Sequence, residues 1–346
     1  MNCTVSNVTD QSVVIDQCVC ENIFPTDQFP GEVHASTLEQ VSDGSILASW
    51  FGGSKEGKDD VSIWLSRRTD QGWSEPQVVA KINDQPHWNP VLFDYAGKTW
   101  LWFKVGKDVH VWRTYVITSD DAGQSWSDPR EVVAGDIGGR GPVKNKPILL
   151  HDGAILAPAS IEIGKGENAN WNAFVDRSDN VLDWSSSDLV SYDHQQTRGE
   201  GVIQPTLWES QPGIVHMLLR SGDGWIYRSD SIDGGVTWSD AYRTDLPNNN
   251  SGLDAVRFDD GTLALVYNPI SENWGDRSPL TLALSMDNGQ TWPVKLDLET
   301  AEGEYSYPAI IARGRDLLIT YTNRRKTITY RKVTVRSQMI DGKVDS

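Results

Sequence analysis

Three copies of one eight-residue pattern decide the fold: SDDAGQSW at 119–126, SIDGGVTW at 231–238 and SMDNGQTW at 285–292. Each reads Ser-x-Asp-x-Gly-x-x-Trp, and looser copies begin at Ser66 and Ser178. The starting serines are spaced by 53 to 59 residues. A repeat period of this length is typical of one four-stranded blade of a β-propeller.

Tight turns form a second marker, which repeats independently of these boxes. Short apolar runs meet at a turn, as in VSDGSILASW at 41–50 and RFDDGTLALVY at 257–267. Asp-Gly between apolar runs is a strong hairpin signal. The turn glycines are spaced by 48 to 60 residues and are Gly44, Gly97, Gly153, Gly213, Gly261 and Gly314. Six turns predict six blades.

The two markers together predict an all-β fold, a six-bladed β-propeller of four-stranded antiparallel blades. We expect one domain over residues 1–346, with the repeats at about 30–335. The sixth unit has no box and no fourth strand before the chain ends. The run SVVID at 12–16 is expected to supply that strand. Pairing of the N- and C-terminal strands would close the ring and remove its exposed sheet edges.

Composition excludes several function classes. The 346 residues include 31 Lys and Arg against 48 Asp and Glu, a formal net charge of −17. Nucleic acids and anionic membranes prefer basic surfaces, so we expect neither as a partner. Residues 1–12 show neither the basic nor the apolar region of a signal peptide, so a complete chain is expected to be cytoplasmic. Nothing in the sequence predicts an oligomeric state.

The starts of the innermost strands are the first candidate site, because these strands surround the central channel of a propeller. All six residues at these starts are polar, and polar side chains that converge on a cavity suit a ligand site. They are His34, Asn89, Lys146, Gln204, Asp254 and Tyr307.

Basic and amide side chains follow the second strands of the predicted blades. In an acidic chain, cations at predicted cavity positions favour a carboxylate-bearing or sulfated ligand, since arginine presents a planar fork to a carboxylate. These residues are Lys104, Arg220, Asn268, Arg277 and Arg324, the last followed by Arg325. The alternative is that each cation pairs with an acidic surface loop.

Acid–base candidates come from two loops and one strand. The loop GGSKEGKDDVS at 52–62 carries Asp59 and Asp60, and a carboxyl over the channel mouth suits a proton donor. In the last blade, GEYSYPAII places Tyr305 and Tyr307 at an inner strand, as a nucleophile, a proton carrier or a stacking platform. His34 is a further proton-transfer candidate. The alternatives are a solvated loop, packing tyrosines and a structural histidine.

Metal and nucleotide chemistry are not expected. Histidine and cysteine nowhere cluster with metal-ligand spacing, and no glycine-rich phosphate loop precedes a helix. We therefore predict no metal and no cofactor.

Several segments resemble the sialidase (neuraminidase) superfamily, specifically the bacterial predicted-neuraminidase group with BNR/Asp-box repeats. The resemblance extends from about residue 30 to 335 and rests on the boxes and on eight segments. These are HASTLEQVSDGSILASWFGG, WNPVLF, KNKPILL, QPTLW, NSGLDAV, YNP, RSPLTLALS and GEYSYPAII.

The resemblance implies roles for individual residues. Sialidases bind the substrate carboxylate with three arginines, and Arg220 and Arg277 resemble the second and third of them. Tyr305 resembles the tyrosine nucleophile, and Asp59 or Asp60 resembles the acid/base aspartate. The implied function is an exo-glycosidase that cleaves a terminal acidic sugar from a glycan.

Two positions depart from the family pattern. Its first arginine normally begins the first inner strand, where this chain reads Val33-His34-Ala35. The glutamate that activates the tyrosine has no clear match, and Asp254 is the nearest carboxylate.

Two other functions stay open. Propeller lyases that act on uronic-acid glycans use tyrosine or histidine for proton transfer beside a neutralised carboxylate, and His34 with Tyr305 or Tyr307 resembles that arrangement. A non-catalytic, glycan-binding propeller is the second alternative. Related propellers cleave rhamnose–glucuronate linkages, and the two enzyme readings share an acidic sugar as the ligand.

Overall fold

A computed structural model of the protein describes residues 13–29 and 31–337, which form six antiparallel sheets. These sheets are the blades of a propeller, and the predicted fold is confirmed. The signal-peptide prediction on residues 1–12 lies outside the described residues. In the described part of the chain, no helix is long and apolar enough to span a membrane.

The strands follow the chain from blade to blade. Blade 1 contains β2 (Glu32–Gln40), β3 (Ile46–Gly53), β4 (Ser62–Thr69), β5 (Gly72–Trp73) and β6 (Gln77–Ala80). Blade 2 contains β7 (His87–Tyr95), β8 (Lys98–Val105), β9 (Arg113–Ser119) and β10 (Arg130–Glu131). Blade 3 contains β11 (Ile148–Leu149), β12 (Ile155–Ile163), β13 (Asn170–Ser178) and β14 (Ser185–Ser186).

The remaining blades are built in the same way. Blade 4 contains β15 (Val202–Gln211), β16 (Ile214–Ser221), β17 (Trp225–Ser231) and β18 (Tyr242–Pro247). Blade 5 contains β19 (Asp254–Arg257), β20 (Leu263–Tyr267), β21 (Leu280–Ser285) and β22 (Val294–Glu299). Blade 6 contains β23 (Tyr305–Arg313), β24 (Asp316–Asn323), β25 (Thr327–Ser337) and β1 (Val13–Asn22). A short 3₁₀ helix spans Gly166–Asn168 in blade 3.

The ring closes as predicted, through the two ends of the chain. Strand β1 pairs antiparallel with β25, from Val13 opposite Ser337 to Asn22 opposite Thr329. It extends beyond the predicted run 12–16, whose Ser12 lies outside the described residues. The outer edge of β25 is therefore covered, as closure of a propeller requires.

The turn glycines form the tight turns that the sequence predicts, and the boxes form hydrogen-bonded turns. All six turn glycines have positive φ, between 57° and 90°. In the box of blade 2, Ser119 Oγ accepts the Gly123 N–H at 2.7 Å, and the Asp121 carboxylate accepts the Ser125 N–H at 2.8 Å. A Cβ on Gly123 would lie 2.4 Å from Leu47 Cδ1, so this glycine lets blade 2 pack against blade 1.

The apolar core lies between neighbouring blades. One cluster joins Leu47 and Phe51 of blade 1 to Leu92 and Leu101 of blade 2. Another joins Leu282 of blade 5 to residues of blade 6. Because the blades bury their faces against each other, the centre of the ring is left for polar side chains.

Candidate active site

Four inner strands begin with the same bulge. Ala35, Asn89, Gln204 and Tyr307 have φ between 40° and 54°, which non-glycine residues seldom adopt, and the strand pairing skips a register beside each of them. The bulge occurs where these strands begin, at an end of the channel that we call the upper mouth. In blade 1 the bulged residue is Ala35. His34 therefore lies one residue before the bulge and is not equivalent to Asn89, Gln204 and Tyr307, with which the sequence pattern had aligned it.

Tyr307 lies at the centre of the upper mouth, because groups from four other blades surround its ring. The His34 ring is 4.3 Å from it, centroid to centroid. The guanidinium carbons of Arg220 and Arg277 are 5.7 and 5.6 Å from the ring centroid, and Lys144 Nζ is 6.0 Å from it. The structure therefore brings His34, Arg220, Arg277 and Tyr307 together.

Arg220 is held on three sides by neutral groups. Its Nη1 donates to Tyr307 Oη at 2.7 Å and to Gln204 Oε1 at 3.1 Å. Its Nε donates to Asn250 Oδ1 at 2.8 Å. The side chain is only 3% exposed, yet within the described ranges no carboxylate lies within ion-pair distance of it. A buried cation without a counter-ion is costly, so this guanidinium is prepared for an anion.

Arg277 and Arg325 share one carboxylate. Arg277 Nη1 donates to Glu304 Oε1 at 2.6 Å, and Arg325 Nε donates to Glu304 Oε2 at 2.9 Å. Arg325 also bonds Glu56, from the loop between β3 and β4. Burial acts to raise the pKa of Glu304, but the two arginines outweigh it and leave that pKa below its ordinary value. Glu304 is therefore an anion that orients the arginines.

Several donors at the upper mouth have no partner among the described residues. They are Arg220 Nη2, Arg277 Nε and Nη2, and Gln204 Nε2. None of these nitrogens is among the fully buried polar atoms that lack a partner, so each is accessible from the mouth. Unused guanidinium nitrogens of two arginines near the Tyr307 ring suit a carboxylate.

His34 is buried and neutral. Its Nδ1 lies 2.9 Å from Thr322 Oγ1, which also accepts the Ala35 N–H at 3.2 Å. Burial lowers the pKa of His34 well below its ordinary value, and the charges of Arg325, Arg277 and Arg220 act in the same direction. A neutral imidazole beside Tyr307 is able to accept a proton during a reaction.

The structure does not place Tyr305 with this group. The Tyr305 ring is 3% exposed and packs in the apolar cluster between blades 5 and 6. Arg324, whose Cζ is 5.8 Å from that ring, lies outside the channel with it and donates to the Glu302 carbonyl. The two residues line the same outer cavity. The Tyr305 backbone N–H donates to the Arg277 carbonyl at 3.0 Å, but the Tyr305 side chain makes no hydrogen bond to Arg220 or Arg277.

Lys104 and Asn268 support the backbone outside the cluster. Lys104 is fully buried and donates to Thr114 Oγ1 at 2.6 Å and to the carbonyls of Gly139 and Arg140. Asn268 Nδ2 donates to the carbonyls of Pro279 and Tyr305, at 2.8 and 2.9 Å. Both side chains hold loops, whereas Asn89 lies at a bulge of the upper mouth and makes no side-chain bond within the described residues.

Lys146 and Asp254 pair with each other further along the channel. Lys146 Nζ lies 2.9 and 3.0 Å from the Asp254 oxygens. Asp254 also accepts bonds from Thr206 Oγ1 at 2.7 Å and from the Ile310 N–H at 3.0 Å. Both of its oxygens are bonded within the protein, and neither bonds the hydroxyl of Tyr305 or Tyr307.

The loop aspartates are exposed. The Asp60 carboxylate accepts bonds from the Ser54 N–H and hydroxyl, at 2.8 and 2.9 Å, within its own loop. Asp59 is exposed and its side chain has no hydrogen-bond partner in the described part of the molecule. Glu56 is the residue of this loop that contacts the arginine cluster.

Sequence reasoning missed four polar residues near the cluster: Lys144, Glu162, Asn250 and Glu304. The asparagine run 248–250, buried between two strands, was a visible signal for Asn250. Glu162, in β12, lies near Arg220 and Trp171. Burial raises the pKa of Glu162 although the charge of Arg220 acts against it.

Two tryptophans border Arg220. Its Cζ is 5.2 Å from the Trp171 ring and 5.6 Å from the Trp274 ring. Trp274 is 57% exposed, and its Nε1 donates to Glu200 Oε1 at 2.9 Å. An exposed aromatic face beside a guanidinium is suited to a sugar ring.

Across residues 13–29 and 31–337, no group of three or more His, Cys, Asp or Glu is placed to hold a metal ion.

Known proteins share both the repeats and the fold. A family profile described as a BNR repeat-like domain matches residues 44–319. A Hadza microbial sialidase, Hz136, is 17% identical with a TM-score of 0.75, over 91% of this chain and 68% of that chain. A protein of unknown function from Dyadobacter fermentans is 16% identical with a TM-score of 0.74, over 94% of this chain and 99% of that chain.

A sialidase from Trypanosoma rangeli is 14% identical with a TM-score of 0.69, over 92% of this chain and 60% of that chain. At such identities the similarity shows a common fold, and activity is a separate question. Since the family profile spans most of the described blades, this chain belongs to the BNR repeat-like domain family and has the propeller fold of the sialidase superfamily.

Proposed function

We propose that the upper mouth binds the carboxylate of a terminal acidic sugar and that the protein cleaves the glycosidic bond next to that sugar. The observation that carries this proposal is Arg220, a buried guanidinium whose three protein partners are all neutral. A ligand carboxylate would provide the missing counter-ion. The sialidases among the solved structures with this fold support the same class of substrate.

In this proposal Arg220 and Arg277 hold the carboxylate, and Tyr307 is the reacting tyrosine in place of Tyr305. Arg220 donates to Tyr307 Oη, so the guanidinium stabilises negative charge that develops on that oxygen. Tyrosine is neutral until it reacts, so it approaches an anionic sugar without charge repulsion.

In this proposal the proton for the leaving group comes from Glu162, which is more buried than Asp59 and Asp60. Glu162 fits this role because burial raises its pKa and so favours the protonated carboxyl. It lies on the side of Arg220 where Trp171 and Trp274 offer a surface for the next sugar. Hydrolysis would then proceed in two steps. Tyr307 Oη would attack the anomeric carbon as the bond to the leaving oxygen breaks, its proton would pass to neutral His34, and Glu162 would protonate the leaving oxygen. Water, losing a proton to the Glu162 carboxylate, would then break the bond between tyrosine and sugar, and His34 would return the proton to Tyr307.

A second candidate is elimination from a uronic-acid glycan. The observation that favours it is the pair of His34 and Tyr307, with rings 4.3 Å apart. No carboxylate among the described residues bonds Tyr307 Oη to activate it as a nucleophile. Neutral His34 would remove the proton next to the substrate carboxylate, the arginines would stabilise the resulting anion, and Tyr307 would protonate the leaving oxygen. The product is an unsaturated uronate.

Product analysis tests these candidates directly. The protein is incubated with sialosides and with uronic-acid oligosaccharides, and the products are followed by mass spectrometry and ultraviolet absorbance. Hydrolysis adds the mass of one water and no ultraviolet band, whereas elimination adds no mass and creates the band of a conjugated double bond. Turnover of neutral glycans alone would contradict the proposal, and binding of acidic glycans without any turnover would leave a lectin.

A further inference from the structure

Two residues of blade 3 reach across the channel beneath Tyr307. Lys144 Nζ donates to the carbonyl of Pro308 in blade 6, and lies 3.4 Å from the carbonyl of Leu253 just before blade 5. Asn145 Nδ2 donates to the carbonyls of Gln204 and Pro205 in blade 4, at 3.1 and 3.0 Å. We call Lys144 and Asn145 the cross-channel brace.

The two residues of the brace are joined to each other. Lys144 Nζ donates to Asn145 Oδ1 at 2.8 Å, so the amide is fixed with its nitrogen toward blade 4. Both side chains are buried, with 3% and 1% of their surfaces exposed. Gly252 lets the lysine pass, because a Cβ there would lie 3.2 Å from Lys144 Cε and 3.4 Å from Tyr307 Cγ.

Apart from that of Leu253, the carbonyls that the brace binds belong to two of the bulges. Tyr307 and Gln204 have left-handed φ values of 50° and 53°, and each is followed by proline. A bulge interrupts the ladder and leaves backbone groups without their usual partners. Such a conformation persists only where surrounding contacts hold it. The brace supplies those contacts from a third blade.

The same two bulges carry the groups that hold Arg220. Arg220 Nη1 donates to Tyr307 Oη and to Gln204 Oε1. Displacement of either bulge would therefore move the phenol oxygen, the guanidinium, or both. An error of about 1 Å in such a group is able to cost about 10²-fold in rate.

A buried lysine without a carboxylate partner is a poor means of stabilisation. The Lys144 ammonium is bonded to neutral oxygens only, and no described carboxylate lies within ion-pair distance of it. An apolar residue of similar size would avoid the cost of burying a charge. Lys104 is buried in the same way, so what connects Lys144 with the site is the set of carbonyls that it binds, and not its burial.

We propose that Lys144 is a positioning residue, which with Asn145 fixes the bulges of Tyr307 and Gln204 around Arg220. This inference rests on the proposed function for its catalytic consequence. Its structural part, the placement of the Tyr307 ring, does not depend on any substrate.

The brace is also expected to respond to pH. Burial lowers the pKa of Lys144 to about 7. The charge of Asp254 acts to raise this pKa, and the charges of Lys146 and Arg220 act to lower it further. His34 and Tyr307 also face this group, and His34 is neutral near pH 7. The ammonium has three protons to donate and the amine has two, so the brace weakens as pH rises through about 7.

The experiment compares Lys144→Met with Lys104→Met. Lys104 is a matched control, because it is fully buried, donates to one side chain and two carbonyls, and has a pKa of about 7, yet it lies outside the channel cluster. We measure kcat and KM from pH 6 to 9 on whichever acidic glycan is turned over. We also record the resonance of Tyr307 in protein carrying ¹³C at the tyrosine ring Cζ, assigned by Tyr307→Phe.

In Lys144→Met we expect kcat to fall by about 10²-fold, with a smaller change in KM. The fall of kcat with rising pH near 7 should disappear, and the Tyr307 resonance should shift. Lys104→Met should keep the parent kcat, pH profile and Tyr307 resonance. Where Lys144→Met does not fold, Lys144→Gln, which keeps an NH2 group with two protons to donate but loses the charge, carries the same test.

The inference is overturned if Lys144→Met keeps the parent Tyr307 resonance, or if both lysine variants lose kcat in equal proportion. Absence of turnover on every acidic glycan would count against the proposed function alone. The Tyr307 resonance would then still decide the positioning role, because it needs no substrate.

Discussion

The two ends of the channel handle charge in opposite ways. Towards the end where the inner strands finish, the lower mouth, Lys146 pairs with Asp254 inside the channel and Arg313 pairs with Glu39. This end opens into a cavity of about 410 Å³. At the upper mouth, Arg220 has only neutral hydrogen-bond partners. Arg277 donates hydrogen bonds through one nitrogen, Nη1, to Glu304 and to Ser306.

The difference separates structural charge from charge kept for a ligand. A cation that already has its own carboxylate gains little from another anion. A buried guanidinium with unused donors gains both a counter-ion and hydrogen bonds. Net charge does not reveal this, because a chain of −17 still concentrates cations at one mouth.

The largest expected effect tests the upper mouth at its centre. Tyr307→Phe removes the oxygen that Arg220 bonds and should lower kcat by about 10²- to 10⁴-fold, the usual contribution of a proton-transfer group. Tyr305→Phe is the control, because Tyr305 packs in an apolar cluster. Steady-state kinetics on an acidic glycan measures both. A larger loss in Tyr305→Phe would return the reacting role to Tyr305.

The lower mouth should respond in stability and not in turnover. Lys146→Met leaves the 1% exposed Asp254 carboxylate unpaired, and removal of one partner of a buried pair costs about 3–5 kcal/mol. Urea denaturation measures the loss, and kcat/KM should stay at the parent value. Lys146→Met combined with Asp254→Asn removes both charges and should recover part of the stability. A raised KM in the fully folded single variant would place Lys146 in the site.

A smaller effect is expected from Arg277→Lys. Lysine keeps the charge but lacks the planar fork, so one charge-assisted bond to the ligand is lost. Such a bond contributes about 1.5–3 kcal/mol, so KM should rise about 10- to 100-fold. Arg313→Lys at the lower mouth is the control and should leave KM unchanged. Equal KM values in the two variants would remove the contrast between the mouths.

The smallest effect concerns two buried lysines, one at the upper mouth and one outside it. Burial lowers the pKa of both Lys144 and Lys104 from 10.5 to about 7. Between these pH values the unfolded chain binds more protons, so the free energy of unfolding rises with pH, by at most about 1.4 kcal/mol per pH unit for each lysine.

Between pH 7 and 9, the free energy of unfolding should therefore rise less steeply in Lys104→Met than in the parent. The same shallower rise is expected in Lys144→Met. Urea denaturation at several pH values measures the slopes. A parent-like slope in Lys104→Met would mean that this lysine stays charged in the folded protein. Only Lys144→Met should also change the pH profile of kcat, because only Lys144 contacts the bulges.

Local pattern was enough to predict the blades. The turn glycines and boxes act within a few residues of themselves, so their spacing showed six repeats and a sixth unit without its fourth strand. The looser box at Ser178 illustrates this: Val181 takes a left-handed φ of 65° where other boxes have glycine, and its N–H still donates to Ser178 Oγ.

The site was predicted in part, since Arg220, Arg277, His34 and Tyr307 were all among the candidates. The structure brings Tyr307, and not the Tyr305 side chain, to Arg220, because the bulge after Ser306 changes which side chain enters the channel. One inserted residue reverses the alternation of a strand, and no local signal marks it. Asp59 and Asp60 were placed over the mouth by loop position alone, and the fold leaves them exposed.

The sequence by itself determined the propeller, its blade number and its closure, because these depend on turns and apolar alternation within each repeat. Tertiary structure alone decided which cations lack counter-ions, which tyrosine faces them, and that Lys144 reaches across to blades 5 and 6. The physical reason is distance along the chain. Arg220 and Tyr307 are 87 residues apart and meet at 2.7 Å only after the ring has closed.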